Sequence, residues 1–135
     1  INCRISCISY RFNNCIIYGS YSNEMILKKK TGAAFVYQFN NCLIKFENTS
    51  NDFTNDPDYQ FATDPVHYNN ILLSNTVVKN DPKFFKVAEN KLNIDNTSAA
   101  FSKGNATYLV PLDVIGNTRT LPPDLGAYQN KTFPK

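Results

Sequence analysis

Alternating polar and apolar runs, separated by pairs of asparagine, recur along the first third of the chain. The segment "ISYRFNNCIIYG" (residues 8–19) aligns with "FVYQFNNCLIKF" (residues 35–46), 27 positions later. In each copy an aromatic-rich run, an Asn-Asn pair and an aliphatic run follow one another. Alternation together with aromatic and β-branched residues favours strands over helices. Each copy therefore predicts a strand, a sharp bend and a second strand.

A third, weaker copy is predicted in "ILLSNTVVKND" (residues 71–81), with Asn75 in the bend position and Thr76 in the cysteine position. Intervals of this size are typical of solenoid repeats. Helical solenoids need a sustained 3.6-residue apolar period, which is missing, and a β-sandwich does not explain a near-verbatim repeat. We therefore predict an all-β fold, a right-handed parallel β-helix. Asn14, Asn41 and Asn75 are its expected bends, because asparagine tolerates left-handed backbone.

Stacked parallel strands lie about 4.8 Å apart, so equivalent positions form ladders of like side chains. Cys15, Cys42 and Thr76 are predicted to form one such ladder, which explains these cysteines without a disulfide. A disulfide remains the alternative, since Cys3 and Cys7 also lie in the first third of the chain. The spacing of the four cysteines matches no zinc pattern.

The repeats and the rest of the chain suggest two parts. Residues 1–85 are predicted to form the stacked turns of the solenoid (its rungs), with a polar loop excursion at about 48–70. Residues 86–135 are predicted to form a C-terminal cap with a hairpin-like tail, because the last strand of a solenoid leaves unpaired backbone groups. Gly116-Asn117 marks the hairpin turn. Asp113 and Arg119 are expected to pair across it, with Arg119 also reaching Asp124.

Composition narrows the class of protein. A chain of 135 residues with 42% hydrophobic residues fits one domain. The net charge of +3 is too small to predict nucleic-acid binding, and no apolar run is long enough to span a bilayer. The opening "INCRISCISY" already reads as strand, so we expect a processed or excised piece of a longer protein. Its open N-terminal edge would then favour self-association.

Four phrases in the second half carry a resemblance. They are "DPKF" (residues 81–84), "SAAFSKG" (98–104), "DVIGNTR" (113–119) and "PDLGAYQ" (123–129). In this order they resemble the C-terminal end of bacterial secreted and surface proteins with the pectate-lyase-like right-handed parallel β-helix fold. Those proteins commonly carry "DP.F", "SPAIDAG", "D..GN.R" and "DIGAYE". The departures are Ala99, Phe101, Lys103 and Gln129.

The resemblance implies secreted or cell-surface placement and a link to carbohydrate. It also implies that the tail is a structural end. The structural positions predicted in it are Asp113, Gly116, Arg119, Asp124 and Gly126.

Candidate chemistry follows from what pectate-lyase-like enzymes require, namely Ca²⁺ held by acidic residues and an Arg or Lys as base. Asp52, Asp56 and Asp58 in the excursion are the candidate calcium ligands, against the alternative of a solvated loop. Lys28, Lys29 and Lys30 could attract an acidic polysaccharide, against the alternative of a solvated edge. Hydrolysis of a glycoside would need two carboxylates, and Glu24 and Glu47 are the available pair, out of register in the repeat alignment.

The leading hypothesis is a non-catalytic C-terminal β-helix portion of a secreted or cell-surface bacterial protein, which caps the solenoid and contacts glycans. One alternative is a fragment of a polysaccharide lyase or glycoside hydrolase whose catalytic rungs lie upstream. Another is a structural or protein-binding module without affinity for sugar. No cofactor is predicted beyond the possible Ca²⁺, and polysaccharide and a second copy of the chain are the expected partners.

Overall fold

The structure is a computed structural model that describes residues 8–135, with side chains described from residue 9 onward. Cys3 and Cys7 therefore lie outside the described residues. The strands are β1 (Ile8–Asn13), β2 (Ile16–Ile17), β3 (Phe35–Lys45) and β4 (Tyr68–Ser74). Three one-turn 3-10 helices cover Pro57–Tyr59, Val87–Glu89 and Ala106–Tyr108. Between residues 8 and 135, no helix is long and apolar enough to cross a membrane.

All strand pairs in the sheet are parallel. β1 and β2 both pair with β3, so that Phe12 lies opposite Phe39 and Ile16 opposite Leu43. This is the 27-residue offset of the repeat, and the predicted in-register pairing of its first two copies is confirmed. β4 pairs with the other edge of β3. The all-β class is thus confirmed as an open, four-stranded parallel sheet.

The register of β4 differs from the sequence prediction. Asn40 pairs with Asn69 and Cys42 with Ile71, an interval of 29 residues. The left-handed bend of the third copy is therefore Asn70, with φ 53°, beside φ 54° at Asn14 and 51° at Asn41. The prediction for Asn14 and Asn41 is confirmed.

The prediction for Asn75 and Thr76 is wrong. Asn75 follows the end of β4, where its side-chain oxygen accepts the backbone N–H groups of Val77 and Val78 at 3.0 and 2.7 Å. The error arose because "LLSNTVV" satisfies the strand-bend-strand pattern as well as "HYNNILL" does. Only pairing with β3 distinguishes the two.

One face of the sheet is covered by the two return segments, residues 18–34 and 46–67, which connect successive strands. The core on this face contains Tyr37, Phe39, Cys42, Ile44, Phe46 and Tyr68 from the strands and their ends, with Met25 and Tyr59 from the return segments. Phe53 and Phe61 pack against it. The excursion at 48–70 is thus not a purely solvated loop, because its aromatic side chains close the core.

The opposite face is covered by the tail. Three aliphatic residues are aligned across the sheet, namely Ile16, Leu43 and Leu72. They pack against residues of the tail, namely Ile94, Ala99, Ala100 and Leu125. Parallel sheets are ordinarily buried on both faces, and this one follows that rule. The tail therefore covers a whole face of the sheet, and not only its last strand. The proposed boundary between residues 85 and 86 stays a prediction.

Candidate functional site

An open concavity lies beside the first strand and is called here the open-edge groove. It has a volume of about 500 Å³. Its lining comprises Tyr10, Phe12, Ile26, Leu27, Lys28, Phe35 and Tyr37. Six of these seven side chains are apolar or aromatic, so the groove presents rings and one ammonium group to solvent.

Within residues 8–135, the aromatic ladder of the sheet ends at this groove. Phe39 stacks between Phe12, at a centroid distance of 4.8 Å, and Tyr68, at 5.5 Å. Phe39 is 1% exposed, whereas Phe12 is 38% exposed, although both occupy the same position of the repeat. Tyr10 (46%) and Tyr37 (3%) differ in the same way. The first strand thus leaves two rings of the core pattern accessible.

The predicted ligand-binding lysines directly follow two lining residues of the groove, Ile26 and Leu27. Lys28, Lys29 and Lys30 are all exposed, and Lys28 lines the groove itself. Leu27 anchors their segment, because its backbone N–H donates to the hydroxyl of Tyr59 at 2.7 Å. A positive charge beside exposed aromatic rings suits an anionic ligand that has an apolar face.

Behind the floor of the groove lies an Asp–His pair. The Nδ1 atom of His67 is 2.6 Å from Oδ2 of Asp64, and the His67 ring stacks on Tyr37 at 4.2 Å. Burial alone would raise the pKa of Asp64, but hydrogen bonds from His67 and the backbone lower it below its ordinary value. Burial raises the pKa of Tyr37 to about 12. Asp64 also accepts the N–H of Val66, so this pair closes a turn.

The candidate calcium ligands each have a local partner. Asp52 accepts from the hydroxyl of Ser50 at 2.5 Å, and Asp56 caps a 3-10 helix by accepting from the N–H of Asp58 at 2.9 Å. Asp58 receives the hydroxyl of Tyr37 at 3.3 Å. Within residues 8–135, no group of three or more His, Cys, Asp or Glu side chains is placed to hold a metal ion. The structure thus offers no geometric support for calcium.

The candidate glycosidase carboxylates also serve local structure. Glu24 accepts the backbone N–H of Tyr21 at 2.5 Å. Glu47 accepts both the N–H and the hydroxyl of Thr76, which ties the end of β3 to the segment after β4. These contacts explain both residues without a shared substrate position.

A ladder of asparagine side chains runs across the sheet beside the aromatic ladder. The Asn40 amide donates to Asn13 at 2.8 Å, and the Asn69 amide donates to Asn40 at 3.1 Å. The sequence predicted ladders of like side chains, but among the asparagines it singled out the second of each pair, as the bends. The signal that was missed is the phrase "YNN" at residues 68–70, which repeats "FNN".

The second asparagine of the first two pairs instead holds the tail. The Asn14 amide donates to the carbonyl of Asn105 at 3.0 Å, and its oxygen accepts the Asn105 N–H at 2.7 Å. The Asn41 amide donates to the carbonyl of Lys103 at 3.1 Å. The left-handed bend therefore points these amides away from the sheet ladder and toward the tail backbone.

The hairpin turn at Gly116-Asn117 forms as predicted, but Asp113 does not pair with Arg119. The Asp113 carboxylate accepts the N–H groups of Ile115, Asn117 and Gln129 at 2.8–3.0 Å. Burial would raise the pKa of Asp113, but these donors outweigh it and lower the pKa to about 2. Gly116 has φ +88°, which a glycine adopts without strain.

Arg119 and Asp124 are also bound elsewhere. Arg119 donates through Nη2 to the carbonyl of Gly126 at 2.8 Å. Asp124 is buried and accepts from the N–H of Ser102 and from both nitrogens of Asn130, each at 2.8 Å. The predicted Arg119–Asp124 contact is therefore wrong, because each side chain bonds to other groups of the tail. The buried Nε atom of Arg119 has no hydrogen-bond partner among residues 8–135.

Gly126 has a structural reason to be glycine. Its φ is +90°, and a Cβ atom there would lie 2.8 Å from Cδ1 of Ile16. Its N–H donates to the carbonyl of Asn14 at 2.8 Å. The tail thus meets the first bend backbone to backbone.

Cys15 and Cys42 lie in one ladder, as predicted, and both are free thiols. Ile71, in place of Thr76, occupies the equivalent position on β4.

Neither protein-family models, nor curated proteins, nor solved structures show a match to this chain.

Proposed function

We propose that this chain is a non-catalytic, C-terminal portion of a right-handed parallel β-helix in a secreted or cell-surface bacterial protein, and that it contacts glycans through the open-edge groove. The solenoid part of the proposal is supported by parallel strands that repeat with aligned aromatic, asparagine and aliphatic ladders. The return segments pack on one face, as the turns of a solenoid would. The four tail phrases support secretion and the link to carbohydrate.

The observation that carries the glycan contact is the composition of the groove. Tyr10, Phe12 and Phe35 offer aromatic faces on which the C–H face of a sugar ring can stack, and Lys28 offers a donor for a carboxylate. Exposed apolar rings grouped beside a charge mark a contact surface more often than a plain solvated face. An acidic polysaccharide combines both features.

The test is a binding titration of the chain with polygalacturonate, alginate and a neutral glucan, each with and without Ca²⁺. We expect binding to the acidic polymers, weakened at least about tenfold by Tyr10→Ala or Lys28→Glu, since each change removes one of few polar or stacking contacts. Lys103→Glu is the matched control, because Lys103 is exposed and lies in the tail.

Equal weakening by Lys28→Glu and Lys103→Glu would show that only net charge matters, and would overturn the groove. No binding to any polymer would overturn the glycan contact. A requirement for Ca²⁺ that Asp56→Ala and Asp58→Ala remove would favour the lyase-like alternative.

A second candidate function is self-association through the same edge. Among the described residues, Phe12 stacks on one ring, whereas Phe39, its equivalent, stacks on two. A strand from a second copy would complete the ladder and remove the exposed rings from water. We expect the sedimentation coefficient to rise with concentration, and Phe12→Lys to abolish the rise. A chain that stays monomeric at high concentration would contradict this candidate.

A further inference from the structure

Two thiols lie one above the other at the end of the core next to the first strand. Asn13 pairs with Asn40 and Ile16 with Leu43, so Cys15 is aligned with Cys42. The N–H of Leu43 donates to the carbonyl of Cys15 at 2.9 Å, which holds the two strands together at this point. Adjacent parallel strands lie about 4.8 Å apart, within the Cα separations that disulfides span.

The two side chains share one environment. Cys42 is fully buried in the aromatic core, and Cys15 packs against that core while remaining partly exposed. The Cys42 thiol contacts the carbonyl of Phe12, on the neighbouring strand, at 3.3 Å. Both thiols therefore face the same side of the sheet, and only Cys15 is open to solvent.

Their acidities differ in the way that a reactive pair requires. A hydrogen bond with Cys42 is the largest influence on Cys15, and it lowers the pKa of the Cys15 thiol to about 7 although burial opposes it. The same hydrogen bond and burial raise the pKa of Cys42. The more exposed thiol is thus the more readily ionised of the two, and ionisation gives the nucleophilic form.

We propose that Cys15 and Cys42 are a redox-active dithiol that a small-molecule disulfide oxidises to an inter-strand disulfide. The Cys15 thiolate attacks one sulfur of the small disulfide, whose S–S bond breaks and releases one thiolate. Cys42 then loses its proton to solvent and attacks Sγ of Cys15, which releases the second small thiolate. The protein loses two electrons and two protons, and the small disulfide is reduced to two thiols.

Oxidation would covalently link the chain just after the bend at Asn14 to the chain just after the bend at Asn41. The disulfide closes a loop that includes β2 and the first return segment, so it restricts the unfolded chain. This inference is independent of the glycan contact, because neither thiol lines the groove.

The test uses the full chain with Cys3→Ser and Cys7→Ser, so that only the pair can react. After incubation with hydroxyethyl disulfide at neutral pH, we expect a mass loss of about 2 Da, the two hydrogens of the dithiol. Peptide mapping should join Cys15 to Cys42, and the urea midpoint should rise until a reductant restores it.

Two further variants separate the roles of the thiols. Cys42→Ser should stop at a stable mixed disulfide on Cys15, and Cys15→Ser should leave the native protein unreacted. The proposal is overturned if the parent keeps both thiols free, if it stops at the mixed disulfide, or if the oxidised product is a disulfide-linked dimer. Equal reaction of Cys42 in the Cys15→Ser variant would also overturn the assigned roles.

Discussion

Strands β1 and β3 carry nearly the same phrase, yet one lies at the edge of the sheet and the other in its centre. Tyr37 and Phe39 of β3 are buried, and their equivalents Tyr10 and Phe12 of β1 are exposed at the groove. The backbone is the same in both copies, including the left-handed bend at Asn14 and at Asn41. The difference therefore comes from neighbours: β3 has a parallel strand on each side, while the described chain gives β1 one.

The comparison shows what a repeat determines. The phrase is sufficient for the strand, the bend and the parallel register, because these depend on alternation and on asparagine. The burial of a ring depends on what stacks above and below it, which the phrase does not encode. The same sequence motif can thus provide a core residue in one strand and a ligand-contacting residue in another.

The largest expected effect concerns the aromatic ladder. Phe39→Ala should lower the free energy of unfolding by about 3–5 kcal/mol, because it empties a site stacked on both sides. Phe12→Ala should cost only about 1–2 kcal/mol, since its ring is partly exposed. Urea unfolding of both variants measures the difference. Equal costs would mean that β1 is as enclosed as β3, and would contradict the groove.

In the asparagine ladder too, a change in the central strand β3 should cost more stability than the equivalent change in the edge strand β1, but both costs should be smaller. Asn40→Ala breaks two side-chain hydrogen bonds and leaves groups of Asn13 and Asn69 unpaired, so we expect a loss of about 1–3 kcal/mol. Asn13→Ala breaks one of these bonds and should cost about 0.5–1.5 kcal/mol. The two variants can be compared by urea unfolding at neutral pH. A larger cost for Asn13→Ala would place the centre of the ladder elsewhere.

Acid should lower the stability of the tail, which contacts the bends at both Asn14 and Asn41. Because the pKa of Asp113 is lowered to about 2 in the folded protein, its ionised form favours folding. At pH values above the ordinary pKa of an aspartate, the ionised Asp113 carboxylate stabilises the fold by about 2 kcal/mol. This stabilisation is lost as the pH falls from about 4 to 2.

The measurement is the free energy of unfolding at pH 5 and pH 2. The loss between the two should be about 2 kcal/mol smaller in Asp113→Asn than in the parent. Asp52→Asn is the control at an exposed carboxylate, and it should leave the pH dependence close to that of the parent. An unchanged pH dependence in Asp113→Asn would show that the tail turn does not depend on this carboxylate.

At the bend asparagines we expect the opposite ranking: the change beside β1 should destabilise the protein more than the change in β3. Asn14→Gly keeps the left-handed backbone but removes contacts to Asn105 and Tyr108, whereas Asn41→Gly removes one contact to Lys103. We expect about 1 kcal/mol of destabilisation for Asn14→Gly and less for Asn41→Gly. Thermal unfolding of the two glycine variants tests this. The opposite order would mean that the tail is held mainly at β3.

The sequence allowed the strands, the bends at Asn14 and Asn41, the thiol ladder and the Gly116 turn to be predicted, because each rests on local chemistry. The third bend was misplaced because alternation fits both Asn70 and Asn75, and only strand pairing separates them. Phe53, Tyr59 and Phe61 were missed as core residues since polar neighbours surround each of them.

The candidate site was harder to predict. Lys28 was selected from a lysine run, but its closeness to Tyr10, Phe12 and Phe35 follows from the first return segment crossing the core. Asp113 and Arg119 were assigned to each other because they flank a turn. Each instead bonds to a backbone group of the chain after residue 125, and no local pattern signals that approach.

The most direct test of the parallel, in-register sheet is an NMR measurement of contacts between the side-chain amides of Asn13, Asn40 and Asn69. The account predicts cross-peaks from Asn40 to both of the others, together with continuous protection of the β3 backbone amides from exchange. Contacts of Asn40 with the region of Asn75, or strong Hα–Hα contacts of antiparallel strands, would contradict it.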